Sequence, residues 1–350
     1  MKKVLFNTAF LLAGLLTLSM GFAQDKKERT EPRFKKTKTH SKSYSLSSSD
    51  KIRLNNQFGE MKLVTWEKNE IKVDVSITGK SDDEKRAQEI IDKISIADGK
   101  DGNTVYFKTK FADNDKDWDD DKDKHNKEGK REHHNEGMEI NYLVYLPSGN
   151  ALNAENQFGE MIIPDYRGEA EIESQFGSLT AGKISNAKSV TVEFGEATIA
   201  EINGGDLNIK FSSGTVNKLS GDVRSDLEFS TVKLVVDNSI KNLVINNSYS
   251  SVYLDMDKSF SASWDVQTSH GGFSNKTDFA IKEQGGDEKG YGPRFSRNYK
   301  GTSGSGAAKV RINSSFGEII AGHNLQVDMT DKHDDKDKHK NKSKSKTTHI

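Results

Sequence analysis

Two stretches of the chain gather side chains that bind metals. Asp113–Glu136 holds Asp119-Asp120-Asp121, His125, His133 and His134, and Asp328–His339 is similar; the string D-K-D-K-H occurs in both, at Asp121–His125 and Asp335–His339. A cation site needs oxygen and imidazole ligands held at fixed geometry. Here lysines alternate with the ligands, and neither stretch has the apolar residues to fix them in place, so the expectation is a solvated mixed-charge segment with His125, His133 and His134 as the weak metal candidates. No metal or cofactor site is assigned.

Catalytic patterns are thin. HExxH, GxxxxGK[ST] and GxSxG are absent, and Gly301-Thr302-Ser303-Gly304-Ser305-Gly306 lacks the spacing of a phosphate loop. Asn203-Gly204-Gly205-Asp206 occurs once, whereas glycine-aspartate calcium sites need recurrence, so it reads as a turn. Glu160, Glu196 and Glu318 each follow a Phe-Gly pair, but Ser178, Ser213, Thr231 and Ser251 take the same place elsewhere. That is a polar ridge rather than an acid/base pair. No catalytic residue is assigned, and the expectation is a protein that is not an enzyme.

The Phe-Gly pairs lead to the architecture. NQFGEM is written at Asn56–Met61 and again at Asn156–Met161, and degenerate relatives centre on Phe176, Phe194, Phe211, Phe229, Tyr249 and Phe316, with His270 in an aromatic's place. From 158 to 249 the aromatics lie 17 to 20 residues apart, too long a period for a hairpin and too regular for chance. Within a period the apolar residues alternate, as in Val190-x-Val192-x-Phe194, and their phase changes past the aromatic. The spacing predicts an all-β fold, a parallel β-solenoid of about eight coils, with the aromatics as an internal column and the small residue after each one supplying the unusual backbone angles of a corner. The competing architecture is an antiparallel sandwich, which does not require one aromatic-small pair at a fixed phase.

Around the repeats, Lys2-Lys3, an apolar run and Gly21-Phe22-Ala23 predict a signal peptide over 1–23, cleaved before Gln24. The remaining expected organisation is a linker at 24–41 and the first solenoid strands and one helix at 42–111. Then come a flexible charged insertion at 112–137, repeats at 138–274, a flexible loop at 275–306, the last coil at 307–327 and a disordered charged tail at 328–350. The helix is expected over 82–96, from a Ser81–Glu84 capping box and apolar residues at 87, 90, 91 and 94, and could cover one open end of the stack. Composition agrees with a thin-cored β protein: 33% of residues are hydrophobic and 30% charged, and 52 basic residues nearly cancel 53 acidic ones, which argues against nucleic acid as a partner. No cysteine is present, so the mature chain folds without disulfides, and no second segment could span a bilayer.

An exported chain that opens with a strand, carries G-E-M-K-L-V-T-W-E at Gly59–Glu67, adds a strand and a helix, and then repeats small-residue corners resembles the DUF4097 family of "putative adhesins", over roughly 43–327. The resemblance implies a β-strand-repeat solenoid in the cell envelope and carries no catalytic residues. The expected function is that of a non-catalytic adhesin or envelope interaction protein, in the periplasm or on the cell surface, whose exposed strand faces bind an unidentified protein or glycan. A periplasmic sensor or accessory protein is the alternative, and a polysaccharide-active β-helix enzyme a third reading.

Overall fold

The computed structural model describes residues 31–112, 135–285 and 295–327. The signal peptide, most of the charged insertion with His125, His133 and His134, and the tail at 328–350 lie outside the described residues.

The chain opens with β1 (Phe34–Ser45), β2 (Lys51–Gln57), β3 (Met61–Thr65) and β4 (Glu70–Ser81). Next come α1 (Glu84–Asp92), β5 (Ile94–Asp101), β6 (Thr104–Phe111) and β7 (Gly137–Leu146). The repeats begin with β8 (Ala151–Gln157), β9 (Met161–Ile163) and β10 (Tyr166–Gln175), and continue through four long bent strands, β11 (Ser178–Glu193), β12 (Glu196–Lys210), β13 (Ser213–Glu228) and β14 (Thr231–Ser248). They close with β15 (Ser251–Met256), β16 (Ala262–Ser269), β17 (Gly272–Asn275), β18 (Ala280–Glu283), β19 (Ser296–Ser303), β20 (Ala308–Ser315) and β21 (Glu318–Gly322). The described fold is thus nearly all-β, with one helix and a large sheet of mixed, mostly parallel pairing.

The pairing explains why six residues recur one hundred positions apart. β2 runs parallel to β8 with Asn56 opposite Asn156 and Gln57 opposite Gln157, and past the corner Met61 of β3 faces Met161 of β9, so the two copies lie one on the other. The same parallel register links β8 to β10, β10 to β11, and each long strand to the next, placing every aromatic directly over its neighbour. Strands before the aromatics form one face and strands after them a second. β11 to β14 cross from the second face to the first through register shifts, such as that between Asn203 and Gly205. Asn203–Asp206 is this bend, with Gly204 and Gly205 at φ 75° and 80°.

Both ends depart from simple stacking. β4 pairs antiparallel with β1 and β7, so residues 34–41, expected as linker, belong to β1. The helix is shorter than expected. It starts at the N-cap Asp83, whose carboxylate accepts from the Arg86 N–H, and stops before Ile94, which begins β5 with its side chain buried. Ala87 and Ile91 turn inward, and Gly79 of β4 lets the helix approach, since a Cβ there would lie 2.5 Å from the Ala87 carbonyl oxygen. At the other end the segment expected as the last coil is not last in space: β20 lies between β14 and β16, and β21 between β15 and β17. The segment expected as a flexible loop contributes β18 and β19, and β19 pairs antiparallel with β16. Ser303 of the glycine-rich stretch is buried, its hydroxyl accepting from Ala262 N (3.0 Å) and Trp264 Nε1 (3.2 Å).

The core is aliphatic. Val190, Val192, Ile199, Ile202, Leu207, Ile209, Val216 and Leu219 are all fully buried, and the largest enclosed rings are Tyr142, Tyr166, Phe107 and Phe260. The repeat aromatics are not among them. Phe194 is 48% exposed and Phe229 52%, so the internal aromatic column expected from alternation is wrong. Alternation fails at the last step because Phe194 has φ +55°, which swings the ring out of the phase set by Val190 and Val192. Losing a buried Ile side chain leaves a cavity, whereas replacing an outward Phe by Gly loses stacking but relieves left-handed strain. Ile209→Ala should therefore cost about 2–5 kcal/mol and Phe211→Gly no more than about 1, as read by urea unfolding of each variant; equal losses would contradict the outward placement.

Candidate functional site

Each corner is built the same way. Nine non-glycine residues, Phe58, Phe158, Phe176, Phe194, Phe211, Phe229, Tyr249, His270 and Phe316, have φ between 47° and 64°. For an L-residue this conformation costs about 1–2 kcal/mol, because Cβ crowds the following carbonyl oxygen. Their N–H groups stay in the ladder: Phe158 donates to the Gln175 carbonyl (2.9 Å), Phe176 to Glu193 (2.9 Å), Phe194 to Lys210 (3.1 Å) and Phe211 to Glu228 (2.9 Å).

The residue that follows is small for another reason than the one read from sequence. Its φ is not positive at any corner; at the six glycine corners close approach of neighbouring backbones sets its size. A Cβ on Gly159 would lie 2.0 Å from the Gly59 carbonyl oxygen, and one on Gly195 1.8 Å from that of Gly177. Where serine replaces glycine, its hydroxyl joins the backbone network: Ser212 Oγ accepts from Gly195 N (3.1 Å) and donates to Lys210 O (2.6 Å), and Ser230 Oγ accepts from Ser212 N (3.2 Å). Two residues before the aromatic, buried Asn56 donates to Asn156 Oδ1 (3.0 Å), and Asn156 in turn to the Gly59 carbonyl (3.0 Å).

The result is a ladder of rings on the outside of the corner. Ten rings stack in the spatial order Phe58, Phe158, Phe176, Phe194, Phe211, Phe229, Tyr249, Phe316, His270, Phe295, with centroids 4.7–5.1 Å apart. Between Phe58 and Phe316 the planes lie within 8° of parallel. The centroid step matches the strand spacing of about 4.8 Å, wider than ring contact, so the rings lean into the offset stacking that aromatic quadrupoles favour. Phe111 closes one end edge-on against Phe58. With their faces against one another, the rings present their edges to solvent, along about 43 Å at the strand spacing.

Carboxylates flank the ladder. On the side before the rings stand Glu155, Glu173, Glu193, Asp226 and Glu228, on the side after them Glu60, Glu160, Glu196 and Glu318, against Lys210 within the row and Lys110 and Arg297 beside its end rings. Amides tie the first side together: Asn55 donates to Glu155 (2.6 Å), Gln157 to Gln175 (3.1 Å), Gln175 to Glu173 (2.7 Å) and Asn246 to Asp226 (2.6 Å). Desolvation, with Glu155 and Glu193 nearby, raises the Glu173 pKa, whereas a hydrogen bond from Lys188 leads the lowering of Glu171. A shallow polar groove runs beside the ladder between the rows Asn208, Asp226, Asn246, Asn313 and Lys210, Glu228, Ser248, Ser315.

The structure separates the glutamates that share a sequence position: the Ser178 rung lies between Glu160 and Glu196. It brings together a group that sequence reading missed, with Glu155 opposite Glu173 and Gln175 opposite Glu193. These side chains are half-buried on the strand face beside the rings. Among the described residues no three His, Asp or Glu converge as a metal site, and no helix is long and apolar enough to cross a membrane.

No family model and no curated protein matches the sequence. Among the solved structures that match is a "putative cell adhesion protein" from Clostridium sporogenes ATCC 15579, at 11% identity and TM-score 0.23, covering 82% of this chain and 100% of that one. Another is a "putative adhesin" from Bacteroides fragilis NCTC 9343, at 11% and 0.36, covering 81% and 97%. A third is a "putative lipid binding protein" from Parabacteroides distasonis ATCC 8503, at 11% and 0.30, covering 81% and 96%. All three score below 0.5, and none bears on the function argued below.

A group whose proton is held more tightly in the folded chain adds stability below its unfolded pKa and loses that contribution as pH rises through its folded pKa. Glu173 is such a group. Glu173→Gln should therefore raise the melting temperature at pH 7, and the gain should shrink towards zero as the pH falls through the carboxylate range, read by thermal melts from pH 3 to 8.

Proposed function

We propose that this chain is an exported β-solenoid of the DUF4097 type that works without catalysis, as an adhesin-like interaction protein of the periplasm or cell surface. Its partner, a protein or glycan of the envelope or of an opposing surface, docks along the aromatic corner and the strand faces beside it. The coil-on-coil parallel register supports the solenoid, and the basic-apolar-small pattern of 1–23 supports export.

The observation that carries the reading is the ladder itself. Nine backbones are held in a strained conformation, and seven of their rings, from Phe158 to Tyr249 and at Phe316, are 46–52% exposed. Glycine or asparagine would make the same corner with less strain. Rows of exposed apolar groups rimmed by polar ones mark contact surfaces in soluble proteins. The rings are also consumed as stacking partners for one another, so a sugar cannot lie on their faces along the row. A glycan partner would meet the polar groove, and an apolar or aromatic partner the ring edges.

The test is adhesion and exposure in the native cell. Cells carrying Phe176→Gly, Phe194→Gly and Phe211→Gly together should lose attachment to the host surface or to one another while keeping the protein at normal levels. Protease added to intact cells should cleave the wild-type protein. Unchanged attachment, together with protection until the outer membrane is permeabilised, would overturn the surface reading and leave the periplasmic accessory role.

A further inference from the structure

We infer that the aromatic ladder is a binding site for elongated, planar aromatic cations, which lie lengthwise across the ring edges with their positive charge over the flanking carboxylates; this deepens the interaction role proposed above and rests on it. Three features select that class. The ring faces are occupied by stacking at 4.7–5.1 Å, so what remains is a row of half-exposed apolar edges. A flat, extended ligand laid over the row covers several half-exposed rings at once and buries apolar edge area at each rung it spans. The repeat is continuous over ten rings, which favours a long ligand over a compact one.

Charge then decides the sign. Nine acidic side chains and Lys210 stand within three residues of the nine corners, Lys110 and Arg297 stand beside the end rings Phe111 and Phe295, and none of them is buried. Anionic ligands, anionic lipid surfaces and nucleic acid are repelled by that rim. A second copy of this chain is disfavoured for the same reason, since ladder on ladder would set carboxylate rows against carboxylate rows. A cation gains, and most where Glu155 and Glu173 face each other on adjacent rungs, because Lys210 stands in register between Glu193 and Glu228.

Thioflavin T, a rod-shaped aromatic cation whose emission rises when its internal rotation is blocked, is the probe. Titrated into the full chain at low ionic strength, it should give saturable enhancement that weakens with added salt. Phe194→Gly with Phe211→Gly interrupts the ladder while suiting the left-handed backbone, and should weaken binding at least tenfold. Glu155→Gln with Glu173→Gln leaves every ring in place, and should weaken binding severalfold and flatten its salt dependence. The anionic dye anilinonaphthalene sulfonate should neither bind the row nor compete. Equal thioflavin binding by the wild type and both double variants, no saturable binding, or equal binding of the anionic dye would each overturn the inference. Because the Gln variants do not touch the stack, they decide the matter even if the Gly variants melt early. Loss of cell attachment in the ladder variants without any dye binding would remove this ligand class and leave the interaction role standing.

Discussion

The six glycine corners depend on one constraint: at the residue after the aromatic, a neighbouring backbone carbonyl comes so close to the Cα that no Cβ fits. The Gly195 position, where a Cβ would sit 1.8 Å from the Gly177 carbonyl oxygen, shows how little room there is. With that spacing fixed, the preceding residue must turn sharply enough for its N–H to reach the next rung, and φ near +55° does so. A side chain on such a residue points away from the core. Any residue there recurs every 4.8 Å on the outside, and an aromatic one becomes a stack.

The energetics of the ladder and of the core are therefore separate. Left-handed backbone costs about 1–2 kcal/mol per corner, and an offset-stacked pair returns about 0.5–1.5. The ladder comes out near balance, and the stability of the chain rests on the buried Ile, Leu and Val rows, each fully buried side chain contributing about 1.5–3 kcal/mol. That balance leaves the outer row free to serve contact. The inserted last strands bridge β14 and β16 at one end of the repeat region: β20 pairs with both, across 67 residues of chain from Asn242 to Lys309, which makes closure of this part of the sheet a long-range event.

Much of the repeat architecture was legible in the sequence, because period and alternation are one-dimensional signals. The 17–20-residue spacing and the Val190, Val192 alternation placed the strands, and the twin sextets proved to be stacked neighbours. The side of the aromatics was not legible, since alternation extrapolated through Phe194 ignores a positive φ that is rare for large residues and has no signature of its own. The following glycine did carry a signal, but of close approach rather than of backbone angle. The spatial order Tyr249, Phe316, His270 could not be read from periodicity, because pairing between distant strands is set by shape and not by chain order. Likewise the carboxylate group at Glu155, Glu173 and Glu193 forms only when parallel register lays three rungs side by side.

The central claim is that the repeat aromatics point outward from left-handed corners while the residues two positions earlier point inward. The chain has no cysteine, so a single introduced thiol reports one site without background. The most direct measurement is the rate at which a maleimide labels Phe211→Cys and Ile209→Cys in the folded protein, each relative to its own rate in denaturant. The account predicts near-denatured labelling at position 211 and protection of at least a hundredfold at position 209; strong protection at both, or fast labelling at 209 alone, would contradict it.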